Sequence, residues 1–134
     1  MADGDERQLE LLGRISTAVV KAMKKNFGKG PERVRAYFLD DMLVVVSKEG
    51  VTPAERTLLD AGKQEAVRDF RQLFEDHMRD ELTAMIAEMT GREVISYRSQ
   101  IMFEPDRVVA VYVFDDPLVA GAVADPGQAG PGPG

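Results

Sequence analysis

Apolar residues recur every three or four positions in two long segments, which is the spacing of one face of an amphipathic helix. The first segment runs from Leu9 to Phe27, and the second from about Lys63 to Thr90, where Gly91 supplies a stop. The apolar positions are Leu9, Leu12, Ile15, Val19, Met23 (or Ala22) and Phe27 in the first segment, and Val67, Phe70, Phe74, Met78, Leu82, Met85 and Met89 in the second. We therefore predict one amphipathic helix over each segment.

Strand-like runs occur in two pairs, each pair joined by a short polar connection and rich in valine and aromatic residues. The predicted strands cover residues 33–39, 42–48, 93–103 and 107–114. Between the pairs, Thr52-Pro53-Ala54-Glu55 reads as a capping box with proline at the first helical position, which predicts a short helix toward Asp60. The order helix, hairpin, helix, hairpin predicts an α+β fold with a four-stranded, mainly antiparallel sheet and helices packed on one face. The second face, or an unpaired edge, is available for a homodimer.

Length and composition fit one domain with a sizeable core, since the chain has 134 residues, of which 44% are hydrophobic. We predict a flexible N-terminus over residues 1–7, a single domain over 8–118 and a disordered Gly/Pro-rich tail over 119–134. No apolar run approaches the roughly 18 residues of a membrane span, and the chain starts with acidic residues where a signal peptide would be basic. The expected location is the cytoplasm, including its membrane surface.

Gly28-Lys29-Gly30-Pro31 raises the choice between a phosphate cradle and a turn. A phosphate cradle needs a glycine loop that precedes a helix, because backbone N–H groups and the positive end of the helix dipole must face the anion. Here the loop follows a predicted helix and leads into a predicted strand. Lys29 is also not followed by the hydroxyl residue of a P-loop. The pattern favours a helix cap at Gly28 and a turn that Pro31 keeps from resuming the helix.

The same region concentrates positive charge in a chain whose net charge is −6. The cations of this basic segment are Lys21, Lys24, Lys25, Lys29, Arg33 and Arg35, with Glu32 the one acid among residues 21–35. They are either a solvated face or a patch that binds a partner or an anion: an acidic protein, an anionic membrane or nucleic acid. Nucleic acid is disfavoured because the pI is near 4.8 and few aromatics interleave with the lysines.

Residues with catalytic chemistry are sparse, because the chain has no cysteine and one histidine, His77. His77 lies at the border of the second helix's apolar stripe, which favours a half-buried packing role over a general base. Asp40-Asp41 and Asp115-Asp116 are paired carboxylates at strand ends, where turns commonly place aspartate, and no calcium-loop glycine spacing surrounds them. We therefore expect no catalytic, cofactor or metal site.

Several runs together resemble the MpsC-type family of small bacterial domains. They are GKGPERVRAYFLDDMLVVV, VTPAERTLL, MTGREVISYRSQI and RVVAVYVFD, within about residues 8–115. The most specific parts are Gly28-Lys29-Gly30-Pro31 and Thr52-Pro53-Ala54-Glu55. The family name implies association with a sodium-linked, membrane-potential-generating system tied to inorganic-carbon uptake, and the family brings no catalytic residues to carry over. The resemblance thus implies a soluble accessory or regulatory role. Together with the basic segment and the sparse catalytic chemistry, it predicts a non-catalytic interaction module that is an accessory to a membrane transport complex. The alternative is a regulator that binds a small ligand or nucleic acid.

Overall fold

The computed structural model describes residues 2–115, with side chains from residue 6, and within them three helices and one four-stranded sheet are formed. In chain order the elements are α1 (Ala2–Phe27), β1 (Arg33–Leu39), β2 (Met42–Lys48), α2 (Pro53–Asp60), α3 (Gln64–Thr90), β3 (Val94–Phe103) and β4 (Asp106–Phe114). The predicted α+β class is confirmed. Helix α1 starts earlier than the periodicity predicted and takes in residues assigned to a flexible N-terminus. The predicted tail, residues 119–134, lies outside the described residues.

All strand pairs are antiparallel, and the spatial order β1-β2-β4-β3 leaves β1 and β3 at the edges. The first hairpin turns at Asp40-Asp41, where Asp40 adopts a left-handed φ of 58°. Aspartate tolerates that conformation better than most residues, which explains a tight turn without glycine. The second hairpin turns at Glu104-Pro105. Strands β2 and β4 join the hairpins and place two valine-rich strands at the centre of the sheet.

The core forms where alternate sheet residues meet side chains of α1 and α3. Helix α1 contributes Ile15 and Val19, and α3 contributes Met78, Leu82 and Ile86. The sheet contributes Phe38, Leu43, Val45, Tyr97, Ala110, Tyr112 and Phe114. These sheet residues define an inner face. The residues between them along each strand point the other way and stay exposed or partly exposed.

Three predicted helix boundaries are confirmed, namely the start of α2, the end of α3 and the end of α1. At the start of α2, Thr52 Oγ1 accepts from the Glu55 backbone N–H at 3.1 Å, and Glu55 Oε1 accepts from the Thr52 N–H at 3.0 Å. Helix α3 ends at Gly91, whose φ of 71° is left-handed. Gly28 has a φ of 85° and donates to Lys24 O at 3.0 Å, so it caps α1 as a turn residue and the loop leads into β1.

Among residues 2–115, none of the helices has an apolar stretch long enough to span a bilayer.

Candidate functional site

A buried arginine on α3 makes hydrogen bonds to α2, to β4 and to the loop between β2 and α2. Arg71 is 5% exposed, and its Nε and Nη2 donate to the two carboxylate oxygens of Glu55 at 3.0 and 2.9 Å. Its Nη1 donates to Asp106 Oδ1 at 2.9 Å, and Nη2 also reaches the Gly50 carbonyl at 3.2 Å. Burial opposes both charges, but these hydrogen bonds outweigh it: the pKa of Arg71 is raised and the pKa of Glu55 is held below its usual value. The pair is therefore ionised at neutral pH.

Two further buried carboxylates lie near this ion pair. Glu49 is 8% exposed, and within residues 2–115 no donor reaches its Oε2. Burial, reinforced by Glu75 and opposed by Arg71, raises the pKa of Glu49 to about 7. Glu75 is 7% exposed and accepts from the Tyr97 hydroxyl at 3.0 Å, and burial raises its pKa despite that bond. Glu49 is therefore partly protonated near neutral pH. Within the described residues, no group of acidic or histidine side chains is arranged to hold a metal ion.

A cavity of about 540 Å³ opens beside this buried ion pair, between α1, α2 and α3, and we call it the interhelical pocket. Its apolar walls are Phe27, Ala54, Leu58, Ala66, Val67 and Phe70. Its polar lining consists of Lys29, Thr52 and Glu55. The pocket therefore brings together the two segments that looked most specific in the sequence, Gly28-Lys29-Gly30-Pro31 and Thr52-Pro53-Ala54-Glu55. Sequence reasoning explained each as a local cap and did not predict that they meet.

The sheet residues that point away from the core form a second feature, the outer sheet face. Its apolar residues are Tyr37, Leu39, Met42, Val44, Val46, Met102, Val109, Val111 and Val113. Its cations are Arg33, Arg35, Lys48, Arg98 and Arg107, and Ser96 and Gln100 complete it. Tyr37 is 50% exposed and Leu39 is 45% exposed. No aspartate or glutamate belongs to this face in the four described strands, so it combines apolar surface with positive charge that no acidic residue of the face offsets.

The structure separates the predicted basic segment into three groups. Lys21, Lys24 and Lys25 are exposed on α1, and Lys25 Nζ is 3.2 Å from Glu81 Oε2 on α3. Lys29 lines the interhelical pocket. The remaining two, Arg33 and Arg35, belong to the outer sheet face, where they join the cations of β2, β3 and β4. Whether any of these cations binds a partner or an anion stays a prediction.

The predicted half-buried position of His77 is wrong, because its side chain is exposed. The buried stripe of α3 is rotated from the predicted one: it runs through Val67, Arg71, Glu75 and Met78, while Phe70 is 48% exposed. The apolar pattern did not predict this stripe, because two of its buried positions, Arg71 and Glu75, are charged. The signal available was the i, i+4 spacing from Val67 through Arg71 to Glu75. Asp116, of the second aspartate pair, lies outside the described residues.

Comparison with known proteins gives one family and one relative of note. The family model described as Na+-translocating membrane potential-generating system (MpsC) matches residues 7–116. "Uncharacterized protein YrhF" of Bacillus subtilis (strain 168) is 29% identical over 97 residues, which is 71% of this chain and 80% of that protein. No solved structure matches.

Proposed function

This chain belongs to the MpsC family, and we propose that it is a non-catalytic accessory module that docks through its outer sheet face onto an acidic segment of a sodium-translocating membrane system. The family description supports the link to that system. The observation that supports docking is the outer sheet face itself, with valines at its centre and five cations around them. The module acts in the cytoplasm, at the membrane surface where its partner lies.

The positive charge of the outer sheet face favours a partner segment that carries negative charge. Its four arginines make no ion pair with any described residue: Arg98 and Arg107 each donate to a backbone carbonyl, of Tyr97 and Asp106. Lys48 is the exception, at 3.5 Å from Glu32. Since the whole chain carries −6, this cationic surface is a local departure that favours a segment with apolar residues flanked by carboxylates. Arginine suits such a contact because its planar guanidinium can donate two hydrogen bonds to the two oxygens of one carboxylate.

We also propose that the expected homodimer forms along the free edge of β1 rather than face to face, where two cationic surfaces would meet. An antiparallel pair of β1 strands centred on Ala36 would place Arg33 opposite Leu39 and Arg35 opposite Tyr37. Tyr37→Lys would then place two cations opposite each other and should dissociate the dimer, whereas Tyr37→Glu should keep it. Sedimentation velocity distinguishes the two results, and a wild-type monomer at all concentrations would overturn this dimer.

The docking proposal is tested by affinity purification of the tagged protein from detergent-solubilised membranes of its source cells. The outer-face variant carries Arg35→Glu, Arg98→Glu and Arg107→Glu. The matched control, called the α1 variant, changes the net charge by the same amount and carries Lys21→Glu, Lys24→Glu and Lys25→Glu. Melting curves of both variants check that the fold is retained.

The proposal predicts recovery of a sodium-translocating membrane protein by wild type and by the α1 variant, and loss of that protein with the outer-face variant. Loss with the α1 variant alone would place the contact on the lysines of α1 and overturn the outer face as the docking site. Equal loss with both variants would indicate attraction to net charge only. Two parallel samples test other ligands of the outer sheet face. Loss of the bound material on nuclease treatment would indicate nucleic acid, and binding of the protein to protein-free anionic vesicles would indicate lipid. Either result would overturn a protein partner.

A further inference from the structure

We propose that the interhelical pocket binds a small molecule with an apolar body and a single anionic group, such as a medium-chain carboxylate. This goes beyond docking, because the pocket lies between the helices and shares no residue with the outer sheet face. A volume of about 540 Å³ suits a small ligand. Six of its nine lining residues are apolar, and the Phe27 and Phe70 rings stand 6.1 Å apart at one wall.

Lys29 supplies the positive charge that selects an anion. It lines the pocket, is exposed, and makes no ion pair with any residue that the structure describes. Its ammonium lies over the backbone of Gly50, where an added Cβ would come within 3.1 Å of Nζ and 2.9 Å of Glu32 Oε2. The absence of a side chain at Gly50 therefore leaves room for the lysine. The Glu32 charge nearby is shared with Lys48, whose Nζ is 3.5 Å from Glu32 Oε1.

The other polar groups of the pocket do not offer a competing negative charge. Glu55 lines the wall, but both its carboxylate oxygens accept hydrogen bonds from Arg71. The Thr52 hydroxyl accepts from the Glu55 N–H and also hydrogen-bonds the Glu55 carboxylate, whose pKa it helps to lower, so it is engaged within the capping box. A ligand whose chain fills the space between Leu58 and Phe70 would bring its carboxylate to the Lys29 side of the pocket, where the flexible side chain can turn its ammonium from Gly50 toward the ligand.

The experiment titrates the ¹⁵N-labelled full chain with octanoate, and in parallel with 1-octanol and octylammonium, and follows amide shifts by NMR. We expect saturable shifts around the pocket with octanoate and affinity that falls about tenfold to a hundredfold in Lys29→Ala, because a charge-assisted contact is lost. Lys29→Arg should retain most of the affinity. Lys21→Ala removes an exposed lysine elsewhere and should bind octanoate like wild type.

A cavity-filling variant tests whether octanoate binds in the interhelical pocket without changing the charge of the protein. Ala66→Leu extends a side chain into the pocket and should abolish octanoate binding, whereas Ala84→Leu on the exposed side of the same helix should not. Both variants keep a good helix former, so melting curves should stay close to wild type. Absence of saturable shifts with octanoate would overturn the proposal. So would equal binding of octylammonium, or octanoate affinity that neither Lys29→Ala nor Ala66→Leu changes.

Discussion

Glu49 gives the sharpest test of the buried charge cluster, through the dependence of stability on pH. Folding raises the pKa of Glu49 from an ordinary value of 4.5 to about 7, through burial and the neighbouring Glu75, Asp106 and Glu55 carboxylates, with Arg71 opposing. The folded state therefore holds this proton more tightly than the unfolded chain. Below pH 4.5 the residue is protonated in both states, and between 4.5 and about 7 the fold loses stability as pH rises.

The expected size follows from the same pKa change. At about 1.4 kcal/mol for each pKa unit, ionising Glu49 in the folded protein costs about 3 kcal/mol above neutral pH. Glu49→Gln keeps the shape of the protonated acid and removes its ionisation. We expect the variant to unfold with about the same free energy as wild type near pH 4, and to be more stable by up to about 3 kcal/mol near pH 8.

Urea unfolding followed by circular dichroism at several pH values between about 4 and 8 measures this difference. The pKa of Glu75 is raised as well, so the two carboxylates titrate as a coupled pair, and the difference between wild type and variant reports Glu49 with its effect on Glu75. Glu88→Gln, an exposed change on α3, is the control for removing a carboxylate from the surface of the same protein. A difference in unfolding free energy between wild type and Glu49→Gln that is the same at every pH would refute the reasoning.

Three further substitutions test the contacts around this cluster and the end of α3. Glu55→Ala removes one of the two carboxylates that pair with the buried Arg71, together with the capping box, and should cost about 3–5 kcal/mol in urea unfolding; a loss below about 1 kcal/mol would mean that Asp106 and solvent compensate the arginine. Tyr97→Phe deletes the donor to Glu75 Oε1 and should cost about 1–3 kcal/mol near neutral pH, so an unchanged midpoint would contradict that hydrogen bond. Gly91→Ala meets no atom within 4 Å, so its expected loss of about 1–2 kcal/mol is purely conformational, and a neutral result would contradict the left-handed cap.

Local chemistry was enough to predict the elements of this fold. Strands β1 and β2 have the predicted bounds, because short polar connections and β-branched runs mark both ends. The box formed by Thr52 and Glu55 fixed the start of α2, and Gly91 fixed the end of α3. These signals depend on neighbours in sequence, so no tertiary information was needed.

The candidate sites depend on contacts that the sequence does not display. Strands β2 and β4 are central and apolar on both sides, so alternation could not reveal that Val44 and Val111 point away from the core while Val45 points into it. The buried stripe of α3 was missed for a different reason. Arg71 occupies a core position only because Glu55 and Asp106, 16 and 35 residues away, arrive to neutralise it.

That long sequence separation has a consequence for the order of folding. The Arg71 contacts are complete only when α2, α3 and the second hairpin are all in place. We therefore expect them to form late in folding, after the chain has lost most of the conformational entropy that closing these loops requires. Substitutions at this arginine or its partners should therefore accelerate unfolding while leaving the refolding rate nearly unchanged. By this reasoning, the buried ion pair governs how long the native state persists once it has formed.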